Sequence, residues 1–154
     1  MDNIRENVRR LMLAMNIVDE VFAYGAKKIG ISENALSLLY ALDDGEIHTQ
    51  SKICENWLIP KSTINTIVKD WVNKGYIELI PGRNIKEKHL QLTDLGKDYA
   101  SSVLLSVYTL EDLALIKTLK SFSPDFINAV EAFSSNLHDE FKNYFEKTKP
   151  AKLQ

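Results

Sequence analysis

The chain has 154 residues, of which 45% are hydrophobic and 26% are charged, and its formal net charge at pH 7 is −2. This composition excludes an intrinsically disordered chain and predicts a folded domain with a sizeable core. No run approaches the ~18 consecutive apolar residues of a membrane-spanning helix, and the charged N-terminus lacks the apolar run of a signal peptide. We therefore expect a cytoplasmic protein, and its single cysteine, Cys54, agrees with a reducing compartment.

Helical periodicity and capping residues predict three helices in the first part of the chain. Apolar residues recur at alternating steps of four and three from Ile4 to Phe22, which indicates a long amphipathic helix that ends at the sequence YGAKKIG. Ser32 is the expected N-cap of a second helix, which ends at the sequence DDGE. Thr49 is the expected N-cap of a short third helix.

The fourth predicted helix, from about Pro60 to Lys74, has two unlike faces and ends at Gly75. Its apolar residues fall on one side when residues are placed about 100° apart. The opposite side, which we call the polar ridge, carries short polar or basic side chains and no carboxylate: Ser62, Asn65, Thr66, Lys69 and Asn73. Exposed helix faces ordinarily mix Glu with Lys, whereas these groups suit the base edges and phosphates of a DNA major groove. A solvated face that happens to lack acids is the alternative.

A β-hairpin and two more helices are predicted in the rest of the chain. The sequence YIELI alternates as a strand does, PGRN forms a turn, and KEKHLQL is the second strand. Thr93 caps a long helix that either continues or breaks near Thr109, and Ser123 with Pro124 opens the last helix. The order helix, short turn, helix, hairpin is that of a winged helix-turn-helix.

The charge is distributed unevenly along the chain. Residues 46–92 hold seven Lys or Arg and five acidic residues, a balance of +2, whereas the remainder carries −4. Three of these cations, Arg83, Lys86 and Lys88, lie at or beside the tip of the predicted hairpin. A basic hairpin tip suits DNA phosphates or entry into the minor groove, although a charge cluster alone is usually just a solvated turn. The ridge and the hairpin together indicate a nucleic-acid-binding surface.

Residues 32–100 resemble the MarR family of bacterial winged-helix transcriptional regulators. The matching motifs are Ser62-Thr63-Ile64 at the start of the fourth helix, Lys74-Gly75 at its end, and Leu92-Thr93 with Gly96 after the hairpin. The resemblance implies a mainly α fold with a small β-hairpin wing, in which a winged helix-turn-helix core is flanked by long dimerisation helices. On this basis we expect a dimerisation helix over 1–30, a DNA-binding lobe over 31–92, dimerisation helices over 93–147 and a flexible tail over 148–154.

Three positions depart from the family pattern. The wing carries Asn84-Ile85-Lys86 where the family often has Asp-x-Arg, and an arginine common in the recognition helix is replaced near Thr66. The turn between the third and fourth helices carries Leu58, which disfavours a positive φ. These departures bear on base preference more than on fold.

The function that the resemblance implies is sequence-specific transcriptional regulation. We expect a homodimer that binds double-stranded DNA at a pseudo-palindromic operator, acts as a repressor, and responds to a small aromatic or amphipathic effector. The residues expected to contact DNA are Lys61, Ser62, Thr63, Asn65, Thr66, Lys69, Arg83, Lys86 and Lys88. The alternative is a winged-helix protein-interaction module that does not bind DNA, which the substituted wing arginine favours.

Other candidate sites carry less weight. His48, His89 and His138 lack ligand-spaced Cys or His neighbours, so we expect no metal site. No phosphate loop, nucleophile elbow or paired-carboxylate signature is present, and we predict neither an enzyme nor a cofactor. Cys54 is expected to be a packed, inert thiol rather than a redox sensor. An effector pocket could be lined by residues that at helical spacing are more often core: Met12, Met15, Phe22, Tyr40 and Tyr99.

Overall fold

The computed structural model of the protein describes residues 2–81 and 88–147. Its elements follow in the order α1 (Asp2–Ile29), α2 (Glu33–Leu42), β1 (His48–Thr49), α3 (Gln50–Trp57), α4 (Lys61–Asn73), β2 (Ile77–Pro81), β3 (Lys88–Leu92), α5 (Asp94–Leu119) and α6 (Asp125–Lys147). The fold is mainly helical with a small antiparallel sheet, which confirms the predicted fold class. The chain divides into two compact units, Met1–Tyr108 and Thr109–Gln154.

Helix α1 ends within the sequence YGAKKIG, as predicted. It continues through Gly25 and stops at Ile29, where Gly30 adopts a φ of +88° and donates its N–H to the Ala26 carbonyl. Ala26 is only 1% exposed and belongs to the core around α2. Burial of Ala26 keeps the chain helical through Gly25 despite the weak helix propensity of glycine.

Capping residues fix the starts of the next two helices as predicted. The Ser32 hydroxyl accepts a hydrogen bond from the Ala35 N–H at 3.2 Å, and the Thr49 hydroxyl accepts one from the Lys52 N–H at 3.1 Å. The apolar faces of these helices meet α4 and β3 in one core. Its most completely buried large side chains are Leu36, Leu38, Leu39, Leu42, Ile53, Ile64, Leu90 and Leu104.

The turn between α3 and α4 contradicts the expectation for Leu58. This residue adopts the left-handed conformation, with φ 52° and ψ 30°, and is 85% exposed. It is the one non-glycine residue with positive φ among the described residues. The next residue, Ile59, is 2% exposed, so the chain must reverse sharply to bury Ile59 directly after α3 ends. Burial of Ile59 stabilises a backbone conformation that costs roughly 1–2 kcal/mol for an L-residue with a Cβ.

The sheet has the strand order β1-β3-β2, and all its described pairs are antiparallel. In the predicted hairpin Ile77 pairs with Leu92 and Pro81 with Lys88, so the hairpin strands are confirmed. Strand β1 was not predicted, because two residues are too few to show an alternating pattern. Of the predicted turn PGRN, Pro81 is the last residue of β2, and residues 82–84 lie outside the described residues.

Helix α5 is locked to the end of α4 through its first turn. The Thr93 hydroxyl accepts the Gly96 N–H at 3.0 Å and donates to the Gly75 carbonyl, while the Thr93 N–H donates to the Tyr76 carbonyl at 3.0 Å. These bonds give the Leu-Thr-x-x-Gly motif its physical role. The helix then runs through Thr109 without a break, so of the two alternatives the continuous helix is the correct one.

The apolar character of α5 is unusual for a helix with so few buried residues. By length and composition alone it is the one described helix that could cross a membrane, and most of its apolar window is exposed. One such helix is weak evidence for a membrane span, because core helices of soluble proteins meet the same test.

Candidate DNA interface

The two faces of α4 separate as the sequence pattern predicts. Ile64, Val68 and Trp71 are 0%, 4% and 4% exposed and pack into the core. The polar ridge on the opposite side is exposed along its whole length, at Ser62, Asn65, Thr66, Lys69 and Asn73. The ridge is therefore not buried against the rest of its own chain and is available to a partner.

The charge of the ridge is positive because the single acid of α4 is held away from it. Asp70 forms an ion pair with Lys74 one turn on, with 2.8 Å between the carboxylate and the ammonium. The hydrogen bond that the Lys74 ammonium donates to the Asp70 carboxylate raises the pKa of Lys74 above its ordinary value. Lys61 and Lys69 form no ion pair within residues 2–81 and 88–147. Two uncommitted ammonium groups on the helix suit backbone phosphates.

Hydrogen bonds limit what two ridge residues can offer. The Thr66 hydroxyl donates to the Ser62 carbonyl at 3.1 Å, so it faces outward with a methyl group and an acceptor oxygen. The Asn65 side-chain oxygen Oδ1 accepts from Nε2 of Gln50, the first residue of α3, at 2.6 Å. Sequence reasoning missed Gln50, although its place directly after the N-cap Thr49, at the start of the helix preceding α4, was a usable signal.

The remaining predicted DNA contacts have different settings. Thr63 is half-buried, which sets it apart from the ridge. Lys88 is exposed at the start of β3, opposite Pro81. Arg83 and Lys86, the predicted tip residues, lie outside the described residues. The structure thus describes the ridge and the base of the wing.

The aromatic residues named for an effector pocket belong to two clusters of rings. Phe22 and Tyr40 meet edge to face, with ring centroids 6.2 Å apart, and Tyr40 also contacts Trp57. Tyr99 belongs to a separate cluster, where it stacks on Tyr76 at 4.4 Å. The ring contacts thus place Tyr40 and Tyr99 in different aromatic clusters.

No cluster of three His, Cys, Asp or Glu side chains suited to a metal ion occurs in the part of the chain that the structure describes. His48 Nε2 lies 2.9 Å from both carboxylate oxygens of Asp44, and this hydrogen bond lowers the pKa of the Asp44 carboxyl. Cys54 is half-buried against the core.

The sequence of the winged helix matches a known family. Residues 29–84 fit the profile of the MarR family. The chain carries a MarR-family winged helix. The matched residues include all elements from α2 to β2, and therefore the polar ridge of α4. No curated protein sequence matches the chain.

Solved structures extend the similarity beyond the MarR-family segment. NMB1585, a MarR family regulator from Neisseria meningitidis, is 24% identical, with 93% of this chain and 99% of that chain covered and a TM-score of 0.75. AbfR of Staphylococcus epidermidis, solved in an overoxidised form bound to DNA, is 15% identical with a TM-score of 0.59, covering 90% of this chain and 98% of that one. NadR in complex with 4-hydroxyphenylacetate is 14% identical with a TM-score of 0.65, covering 82% and 88% respectively. The chain has the fold of MarR-family transcriptional regulators.

Proposed function

We propose that the protein is a sequence-specific regulator of transcription that binds double-stranded DNA and acts as a repressor. The observation that carries this proposal is the exposed polar ridge of α4, which holds no carboxylate. Lys69 in the ridge and Lys61 at the start of α4 form no ion pair in the described residues. Within a MarR-family winged helix this is the face that would enter the major groove. AbfR, a protein of the same fold, has been solved bound to DNA. Such a protein would act in the cytoplasm, together with its DNA target.

The contacts divide by chemistry into two groups. Ser62, Asn65 and Thr66 would face base edges, because hydroxyl and amide groups read hydrogen-bond patterns in the major groove. The lysine and arginine residues would hold phosphates or, at the wing tip, reach the minor groove: Lys61, Lys69, Arg83, Lys86 and Lys88. Thr63, being half-buried, would contribute through packing at the edge of the contact.

The active form would be a homodimer. Helix α6 has an apolar stripe of Phe126, Val130, Phe133, Leu137, Phe141 and Tyr144, yet none of its residues is buried. Apolar positions of α1 are also open, with Ile4 72% and Val18 66% exposed. A second copy of the chain would cover these faces, as exposed apolar area of this extent ordinarily marks an interface. Residues 1–30 and 93–147 would then form the dimerisation segments, and two ridges would meet half-sites about 10–10.5 bp apart.

A small effector would bind beside the DNA-binding lobe. A cavity of about 240 Å³ is lined by Tyr40, Ala41, Asp44, His48, Lys52, Ile53, Asn56 and Trp57. Its aromatic walls suit a small aromatic molecule, and its lining carries both the Lys52 ammonium and the Asp44 carboxylate. NadR, of the same fold, has been solved with the aromatic acid 4-hydroxyphenylacetate. We expect aromatic acids of this kind to raise the melting temperature of the protein. The variant Trp57→Ala, once shown to fold, should lose this rise.

Selection of bound duplexes from a randomised pool tests the central proposal. We expect enrichment of an inverted repeat, and an affinity that falls steeply as salt rises, because phosphate binding releases counterions. A protein-interaction module would enrich no sequence and show no salt-dependent binding to the pool. That result would overturn the assignment to DNA.

A further inference from the structure

Gln50 and Asn65 link the first turn of α3 to the polar ridge of α4. Their side-chain amides are joined by a hydrogen bond from Gln50 Nε2 to Asn65 Oδ1 at 2.6 Å, across 15 residues of sequence. Gln50 is half-buried and Asn65 is exposed. The bond therefore connects a residue fixed in the protein to a residue at the centre of the proposed base-reading surface.

The surroundings of Gln50 determine which way its amide points. Its other polar atom, Oε1, is buried and has no hydrogen-bond partner in the described residues. The reversed amide would put an NH₂ group in that buried position and would require Asn65 to turn its own NH₂ group toward Gln50. Buried N–H groups without partners are rarer and costlier than a carbonyl oxygen with a free lone pair. The amide nitrogen of Gln50 is thus directed at Asn65.

This orientation determines what Asn65 can offer to a base. Oδ1 of Asn65 is engaged by Gln50, whereas its Nδ2, which carries two donors and no acceptor, forms no hydrogen bond in the described residues. Guanine presents two acceptors side by side in the major groove, N7 and O6, whereas bidentate binding of adenine needs both an amide oxygen and an amide nitrogen.

We infer that Gln50 is a specificity-determining residue, which holds the Asn65 amide so that Asn65 selects guanine over adenine at one position of each half-site. The inference rests on the proposed function, because it concerns the base preference of a DNA-binding surface. Gln50 acts through Asn65 and is a positioning residue rather than a base contact.

Two substitutions at Gln50 give opposite expectations in a duplex selection. Gln50→Ala frees the Asn65 amide to rotate. The preference for guanine at the base pair that Asn65 contacts should then fall by about tenfold, because part of one bidentate contact is lost. Gln50→Glu keeps the side-chain length but can only accept, so it should bind Asn65 Nδ2 and turn Oδ1 outward. The preference should then move to a base with a donor, adenine or cytosine, at that one position.

A matched set of variants separates this role from general damage. Asn65→Ala should relax the base preference at the same position. Because Gln50 acts through Asn65, the double variant Gln50→Ala/Asn65→Ala should be no less selective at that position than Asn65→Ala. Gln91→Ala removes another half-buried glutamine, on β3, and should leave the preference unchanged. Each variant is first checked for an intact thermal unfolding transition.

The outcomes distinguish this inference from the proposed function. If the wild-type chain selects an inverted repeat and both Gln50 variants keep its base preference while Asn65→Ala relaxes it, the positioning role is overturned and DNA binding stands. If the wild-type chain enriches no sequence, the proposed function fails and the inference fails with it. A reversal in Gln50→Glu, with relaxation in Gln50→Ala at the same position, supports the inference.

Discussion

Gly96 passes so close to Tyr76 that a Cβ at position 96 would overlap the Tyr76 carbonyl oxygen. The same carbonyl accepts the N–H of Thr93, so it cannot easily move away. This contact fixes the start of α5 against the corner between α4 and β2. The position of α5 relative to the recognition helix therefore depends on the absence of one side chain.

Gly96→Ala should destabilise the protein by about 3 kcal/mol, because backbone must shift to relieve the overlap. The matched control is Gly25→Ala, in the interior of α1, where no atom lies within 4 Å of an added Cβ. That control should stabilise by roughly 0.5–1 kcal/mol through helix propensity. Chemical denaturation measures both values. Equal effects of the two substitutions would contradict the close-approach account.

Leu58→Asn should stabilise the protein by roughly 0.5–1 kcal/mol, because asparagine tolerates the left-handed conformation that leucine adopts at a cost. Little burial is lost, since Leu58 is 85% exposed. Leu58→Val is the contrasting variant at the same site and should destabilise, as a β-branched residue is more strained at positive φ. Denaturant midpoints with unchanged slopes provide the measurement. A gain in Leu58→Val would show that the turn is not strained.

Asn65→Ala and Lys69→Ala should weaken DNA binding in different ways. The loss of the Asn65 amide should weaken the free energy of binding to the selected operator by ~1–3 kcal/mol and relax the base preference at one position. The loss of the ammonium should weaken all sequences alike and reduce the salt slope by about one per protomer. Lys97→Ala, which removes a lysine paired with Asp94 on α5, is the control and should change neither quantity. Identical sequence profiles and salt slopes for the two ridge variants would refute this division.

Phe141→Lys should convert the proposed dimer into a monomer, because a charge would be desolvated within the apolar stripe of α6. Phe141 is 59% exposed in the single chain. Asn143→Lys adds the same charge two residues on, on the other side of the helix, and should leave the dimer intact. Sedimentation equilibrium reports the mass of each variant. A stable dimer of Phe141→Lys would place the interface elsewhere.

Much of the local structure could be predicted from short stretches of sequence. The N-caps at Ser32 and Thr49 and the two faces of α4 follow from hydrogen bonds and periodicities that span only about four residues. The composition of the polar ridge follows likewise, and so does its exposure. The residues expected to bind DNA through it remain predictions that the experiments above test.

The sequence by itself determined which residues form helices, where most helices begin, and which side of α4 is polar. Only the tertiary structure decided that Leu58 takes a positive φ and that β1 joins the sheet. It also decided that Gln50 holds Asn65. Each of these depends on atoms brought together by the fold, such as burial of Ile59 directly after α3 or a hydrogen bond between two side-chain amides across 15 residues, and such contacts leave no periodic signal in the sequence.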